Sequence, residues 1–430
     1  MQDDRPHIGK IIKDLREYRG MSQEALAREA YFNRSTLSQI ELGNQDCPDD
    51  ILLAIKTVLK IESLPLSDME RKEFKEALFK WNEVIGERRP DDARELRENL
   101  AIVKLLPHDK ELNIFFSLFE CRYLLSINEL AEAKGILDVF EAEGFSDIQL
   151  YHYYFNLGTY YVRSRLTQEA LDFYLKAYEM MSFGFEKSIS LYYNISVCYS
   201  RLGYVSQAIS FLEEACMIRS TNQSNFNEMY LFVELGSIYV NTGSLQRAKY
   251  LFDKAHTIAL NNYKTTKNDR TKGDLGMVLL NHGFLFRMGQ KWNRAIECFD
   301  KALAYLDIAD TNYIETLYQK ARSLIEMGNT LSCAKIIADG AKLSKESEVY
   351  SKMFEALPLL ITPNDESAKK LEINILPYLL ENNYFYPALD YAIFLGDYYK
   401  TRGRGFKTRS LEMSEIAYNI LRLMRKGGVI

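Results

Sequence analysis

Small residues recur along this chain twelve positions apart, and the pairs themselves recur every 37 to 47 residues. The clearest pairs are Gly158 with Ala170 and Gly236 with Ala248. Each carries an aromatic three residues after its first member (Tyr161, Tyr239), another four after its second (Tyr174, Phe252), and an alanine seven after its second (Ala177, Ala255). Four further units read Cys121/Leu124/Ala133/Leu137, Ser196/Tyr199/Ala208/Leu212/Ala215, Gly283/Phe286/Ala295/Phe299/Ala302 and, more weakly, Arg322/Ile325/Ala334/Ala338/Ala341. A period in this range is the mark of stacked helical hairpins, because one hairpin cannot bury its own apolar face. Small residues let the paired helices approach, and the aromatics fill the gap to the next hairpin. Gly203, Gly243, Gly289 and Gly328 are expected at the turns inside four units.

Proline marks the boundaries. Pro6, Pro48, Pro65, Pro90 and Pro107 punctuate the first quarter, and none follows until Pro358. An interior proline costs a helix about 3 kcal/mol, so the proline-free span suits an unbroken helical series. The expected division is a compact domain at 1–64, a helical connector at 65–108 broken at Pro90, and a repeat domain at 109–430. The polar stretch 265–273 is expected to account for the wide spacing between units four and five. A second, 362–370, is expected to separate unit six from a looser C-terminal repeat (Gly396, Tyr399, Ala417) around the basic run 400–409. The opening Met1-Gln-Asp-Asp-Arg is polar and acidic, which predicts no secretory leader. No stretch reaches the ~20 apolar residues of a membrane span. The six cysteines are scattered without a CxxC, which reads as reduced thiols in a cytoplasmic protein. The five histidines are scattered too, so no metal site and no cofactor is expected. No GxxxxGK[ST], HExxH or GxSxG motif occurs, and no catalytic residue is assigned.

Within 1–64, apolar residues at Ile8, Ile11, Ile12 and Leu15 predict one face of a helix ended by Gly20. Ser22 is placed to cap a second helix, with Ala25, Leu26 and Ala30 inward. Asn33 is placed to cap a third, with Leu37 and Ile40 inward and Gly43 as its stop. Pro48 precedes a fourth carrying Ile51, Leu52, Ile55 and Leu59. This is a helix-turn-helix pattern. The stretches Ile8–Ala27 and Asn33–Gly43 resemble the XRE or phage-repressor class along nearly the whole domain. The resemblance implies that Gln23 meets a DNA phosphate. It implies that Arg34, Ser35 and Gln39 read bases in the major groove of a double-stranded operator, with Thr36 and Ser38 on base or phosphate. It also implies a structural pair between Arg16 and Glu41. From Arg5 to Gln39, seven basic residues stand against four acidic. That margin gives modest affinity per module. A homodimer doubles the contacts, and paired half-sites are the habit of the class.

The repeats resemble the tetratricopeptide repeat, which implies an all-α chain: a helix-turn-helix domain followed by a right-handed tetratricopeptide-repeat superhelix. That domain order resembles the RRNPP family, receptors of short imported signalling peptides. One further row fits. Two residues before each ladder position stand Asn156, Asn194, Glu234 and Asn281, on the helix expected to line the concave wall. Asparagine carries both donors and an acceptor, so such a row can pair with a peptide backbone. Seven residues on lie Arg163, Arg201, Asn241 and Met288. Arg163 and Arg201 suit a ligand carboxylate. Phe155, Tyr193 and Phe284 flank the row. The expected function is a cytoplasmic quorum-sensing regulator whose DNA binding is switched by a peptide. The alternative is a peptide-controlled response-regulator phosphatase or sequestering protein, with a response regulator as a further partner.

Overall fold

The computed structural model describes residues 8–60, 66, 68–103, 105, 109–141, 143–181, 188–221 and 227–426. Pro6, Pro65, Pro107, Arg5 and the expected boundaries at 64/65 and 108 lie outside them. Every regular element among the described residues is helical. The chain divides into two compact units, Met1–Phe185 and Glu186–Ile430.

The first unit opens with four short helices: α1 (Ile8–Tyr18), α2 (Gln23–Glu29), α3 (Arg34–Glu41) and α4 (Asp49–Val58). Their shared core holds Ile11, Ile12, Leu15, Leu26, Ala27, Ala30, Leu37, Ile40, Ile55 and Leu59. Ala27 is buried, whereas Ala25, expected to face inward, is half-buried. Gly20 and Gly43 end α1 and α3 in the left-handed conformation, at φ 65° and 75°. Ser22 accepts a hydrogen bond from the Ala25 N–H and caps α2. Asn33 stands at the cap position of α3 but makes no side-chain cap bond. Gly9 sets the crossing of α1 on α3, since a Cβ there would lie 1.5 Å from the Ile40 carbonyl oxygen.

Three hairpins complete this unit: α5 (Asp68–Gly86) with α6 (Pro90–Ala101), α7 (Lys110–Ser126) with α8 (Leu130–Val139), and α9 (Asp147–Arg163) with α10 (Thr167–Met180). Pro90 begins α6, where a missing N–H costs nothing. The first hairpin lies inside the stretch read as a connector, yet it keeps the repeat's register. Trp81 takes the small-residue position, with Val84, Ala93 and Leu100 buried at the usual offsets. The Trp81 Nε1–H donates to the Ala93 carbonyl at 2.9 Å. In the next hairpin the Cys121 thiol faces the Ala133 carbonyl in the same way, at 3.7 Å.

The second unit continues with α11 (Ile189–Arg201) and α12 (Val205–Thr221), α13 (Met229–Asn241) and α14 (Leu245–Thr266), α15 (Asp269–Met288) and α16 (Trp292–Tyr305), and α17 (Thr311–Glu326) and α18 (Ala334–Leu343). Then come α19 (Glu348–Ile361), α20 (Asp365–Lys370), a π-turn at Leu371–Ile375, α21 (Leu376–Glu381), α22 (Phe385–Thr401) and α23 (Lys407–Lys426). Residues 265–273 widen the spacing between units four and five mostly as helix. They lengthen α14 and α15, which turn at Lys267 in the left-handed conformation, and Asn268 caps α15. Residues 362–370 are mostly helical as well, with Asn364 and Ser367 forming a capping box for α20.

One backbone position shows the true register. The left-handed residue of each hairpin turn falls seven after the ladder position: Arg88, Asn128, Arg165, Gly203, Gly243, Gln290 and Gly328. Gly289 therefore is not the left-handed residue; Gln290 is. Gly328 places the sixth ladder position at Ala321, one residue before the expected Arg322. Ala321, Leu324, Cys333, Ile337 and Gly340 are buried, whereas Ala334, Ala338 and Ala341 are exposed. The ladder glycines are steric necessities: a Cβ on Gly283 would come within 2.3 Å of the Phe299 ring, and one on Gly340 within 2.1 Å of Phe354.

Candidate functional site

Helix α3 turns Leu37 and Ile40 into the core and leaves Arg34, Ser35 and Gln39 exposed, with Thr36 and Ser38 half-buried. Its C-terminal end is clamped from below. Arg16 Nε and Nη2 donate to the two Glu41 carboxylate oxygens at 2.7 and 2.9 Å, and Arg16 Nη1 donates to the Met21 carbonyl. Such a bidentate pair fixes orientation as well as distance. Gln23 joins it, its Nε2 donating to Glu41 at 2.8 Å, so that amide points inward in this arrangement. Gln39 Oε1 accepts from Asn44 Nδ2 at 3.1 Å.

The residues expected to line a peptide groove fall in both units and are described unit by unit. In the first, Asn156 is 1% exposed and its Nδ2 donates to the Leu118 carbonyl of α7 at 2.7 Å. It ties one hairpin to the previous one. Phe155 beside it is buried, and Arg163 is exposed in the last turn of α9.

In the second unit Asn194 is half-buried and Arg201 exposed. Burial raises the pKa of Glu234, and the Arg201 charge with a Ser200 hydrogen bond opposes part of that rise. Asn281 donates to the Met277 carbonyl at 2.8 Å and accepts from the Ser237 hydroxyl at 3.1 Å, so it links α15 to α13. Tyr193 and Phe284 are half-buried. The corrected register adds Gln319 to the amide row, two residues before Ala321. Gln319 accepts from Arg287 Nη1 at 3.0 Å and donates to Glu315 at 2.6 Å.

Helix α22 reaches this same row, which nothing in the repeat pattern indicated. The Tyr386 hydroxyl hydrogen-bonds with Asn241, and burial pushes its pKa up to about 12. Asp390 receives Arg322 Nη2 at 3.0 Å and lies 3.7 Å from Arg287 Nη2. Both arginines also hold Glu326, Arg287 at 2.6 Å and Arg322 at 3.2 Å. Tyr391 and Tyr318 share a hydroxyl contact of 2.9 Å. Two buried cations thus meet two carboxylates, the condition under which burying charge is tolerable. The α22 residues lie 68 to 145 positions from these partners in sequence, beyond the reach of any local pattern.

The basic run near the C-terminus is partly neutralised. Arg402 pairs with Asp365 at 2.9 Å, and Arg409 approaches Glu372 at 3.8 Å. Among the described residues no helix is long and apolar enough to cross a membrane.

A helix-turn-helix domain family matches residues 7–61, and a tetratricopeptide-repeat family matches residues 189–222. The chain is 24% identical over 409 residues to the transcriptional activator NprA of Geobacillus stearothermophilus, covering 91% of this chain and 97% of that protein. In fold it is similar to a Rap protein complexed with Competence and Sporulation Factor, with a TM-score of 0.70, 14% identity, and coverage of 83% of this chain and 99% of that one. It is also similar to the apo form of the quorum sensor NprR from B. thuringiensis, with a TM-score of 0.63, 19% identity, and coverage of 81% and 99%. At that identity the two solved structures speak for the fold. The matched head, the matched repeat and the near full-length likeness to NprA agree with the resemblance to the RRNPP family read from the sequence.

Proposed function

We propose that this chain is a transcriptional regulator that binds an operator through α3 and is switched by a short signalling peptide held along the inner helices of its repeats. The observation that carries the first half is the exposed row Arg34, Ser35 and Gln39 on a helix whose other face is buried and whose end is clamped by Arg16 and Glu41. Arginine can donate twice to guanine, and glutamine can pair with adenine. The amide row supports the second half: Asn194, Asn281 and Gln319 each offer a carboxamide from the first helix of a hairpin. Asn194 is the member whose side chain has no partner among the described residues, so it is the first to test. In this reading the protein works as a homodimer in the cytoplasm and performs no catalysis.

The test is calorimetric titration of the full chain with candidate peptides, paired with operator binding. Asn194→Ala is expected to weaken peptide binding about tenfold, roughly the worth of one hydrogen bond left unmade, with peptide-free operator affinity unchanged. Unaltered peptide affinity in that variant rejects the groove assignment. A second reading, the peptide-controlled response-regulator phosphatase or sequestering protein, draws on the fold likeness to a Rap protein. It is favoured if a chain lacking residues 1–64 binds or dephosphorylates a response regulator.

A further inference from the structure

Arg122 stands on α7, one residue past the ladder cysteine, and its charge is not answered. Its Nη1 donates to the neutral Asn82 Oδ1 of α5 at 2.5 Å. Its guanidinium carbon lies 4.6 Å from the centre of the Phe155 ring on α9. Among the described residues no carboxylate comes within ion-pair distance of it. Other arginines of the same unit behave differently. Arg97 forks onto Glu120, Arg71 meets Asp109 at 2.5 Å, and Arg89 meets Glu87 and Asp92. A cation taken out of water without a counter-charge is costly, and an apolar side chain of similar size would remove that cost. Desolvation lowers the pKa of Arg122, and its charge adds to the burial that pulls His152 down to about 3.

The geometry shows what the arginine is arranged to do. One amide and one ring face fix the guanidinium plane. Nε and Nη2, the edge that matches a carboxylate bidentately, bond to no described residue. The guanidinium therefore keeps an open cationic fork. A carboxylate satisfies it with two parallel hydrogen bonds, and a peptide carries that group at its C-terminus and on its acidic side chains.

We propose that Arg122 is a ligand-binding residue that receives a carboxylate of the groove's peptide, held in orientation by Asn82 and Phe155. This rests on the reading of the repeats as a peptide receptor. It adds the anchor and its chemistry, in a part of the chain where the repeat pattern marks only core. The carboxylate comes either from the ligand's C-terminus or from an acidic side chain.

The experiment titrates the full chain with three probes and follows the guanidinium NMR resonance of Arg122, assigned by its loss in Arg122→Lys. The probes are N-acetyl-alanyl-alanine, N-acetyl-aspartyl-alaninamide and the neutral N-acetyl-alanyl-alaninamide. One carboxylate probe is expected to bind at least about tenfold more tightly than the neutral one, the advantage of a charge-assisted fork. Which of the two prevails names the source. Arg122→Gln should erase the preference, and Arg122→Lys should keep a reduced one, since lysine retains charge but not the fork. Arg122→Gln should also match or exceed the wild type in thermal stability, which shows that the fold survives. Equal binding of charged and neutral probes, no binding of either carboxylate, or a preference that survives in Arg122→Gln overturns the proposal. Peptides that still bind the repeats of Arg122→Gln with wild-type affinity would sink this anchor and leave the receptor reading intact. A wild-type chain that binds no peptide would sink the receptor reading itself.

Discussion

His152 shows how one buried residue writes a pH dependence into the fold. It is 6% exposed, with ring centroids of Phe119, Phe79 and Phe115 at 4.8, 6.0 and 6.4 Å, and it is held neutral down to about pH 3. Burial is the larger cause and the Arg122 charge the smaller. In the unfolded chain the imidazole protonates near pH 6.5. Between about 6.5 and 3 the unfolded state therefore binds the extra proton, and stability falls as pH falls, by up to about 1.4 kcal/mol per unit. Above 6.5 this residue contributes no slope. Urea unfolding at pH 7.5 and 5 should show a smaller loss for His152→Phe than for the wild type; equal losses would mean the ring is not held neutral. On α3, Arg34→Ala should cost about 1–3 kcal/mol of specific operator binding and spare peptide affinity. An unchanged footprint and affinity would remove Arg34 as a reader. The Arg16–Glu41 clamp was legible in the sequence because both residues sit inside a wording that resembles a known class. Arg122 was not, because an unpaired charge is defined by what is absent around it, and only packing reveals that.

The elements were legible wherever a ladder position is small and hidden wherever it is not. Trp81 hides the first hairpin, since an indole stands where glycine or alanine was sought. It fits there because its N–H finds the Ala93 carbonyl and its ring is fully buried. The sixth unit was misread by one residue because Ala334, Ala338 and Ala341 mimic the ladder while facing solvent. The turn is the safer guide: Gly203, Gly243 and Gly328 share one backbone conformation at one offset. The ladder itself is testable. Alanine is favoured over glycine in a helix by about 1 kcal/mol, yet Gly283→Ala must push the Phe299 ring aside. Overpacking of this kind costs about 1–3 kcal/mol, so the variant should be less stable than the wild type in chemical denaturation. A stabilised variant would show that the α15–α16 approach is loose. Helix α22 makes a second test. Asp390→Asn leaves Arg287 and Arg322 with one carboxylate fewer, and loss of one partner of a buried pair costs about 3–5 kcal/mol. Half exposure of Asp390 places the expectation at the low end or beneath it, read as a drop in the unfolding midpoint.

At the scale of the whole molecule, both the all-helical class and the order of head and repeats could be read from periodicity and from two wordings, and the matched families agree. What the ligand does to the protein could not, because coupling is a difference between two states and a sequence describes neither. A peptide can shift operator binding only through unequal affinity for the two states, and the effect is reciprocal. The most direct measurement is equilibrium binding of the full chain to an operator obtained by selection from random DNA. It is made with and without a saturating peptide, drawn from short secreted reading frames beside the gene and first shown by calorimetry to bind. The account predicts an operator affinity changed by about 5- to 150-fold and a peptide affinity changed by the same factor when operator is bound. A peptide that binds the repeats while operator affinity stays constant would contradict it.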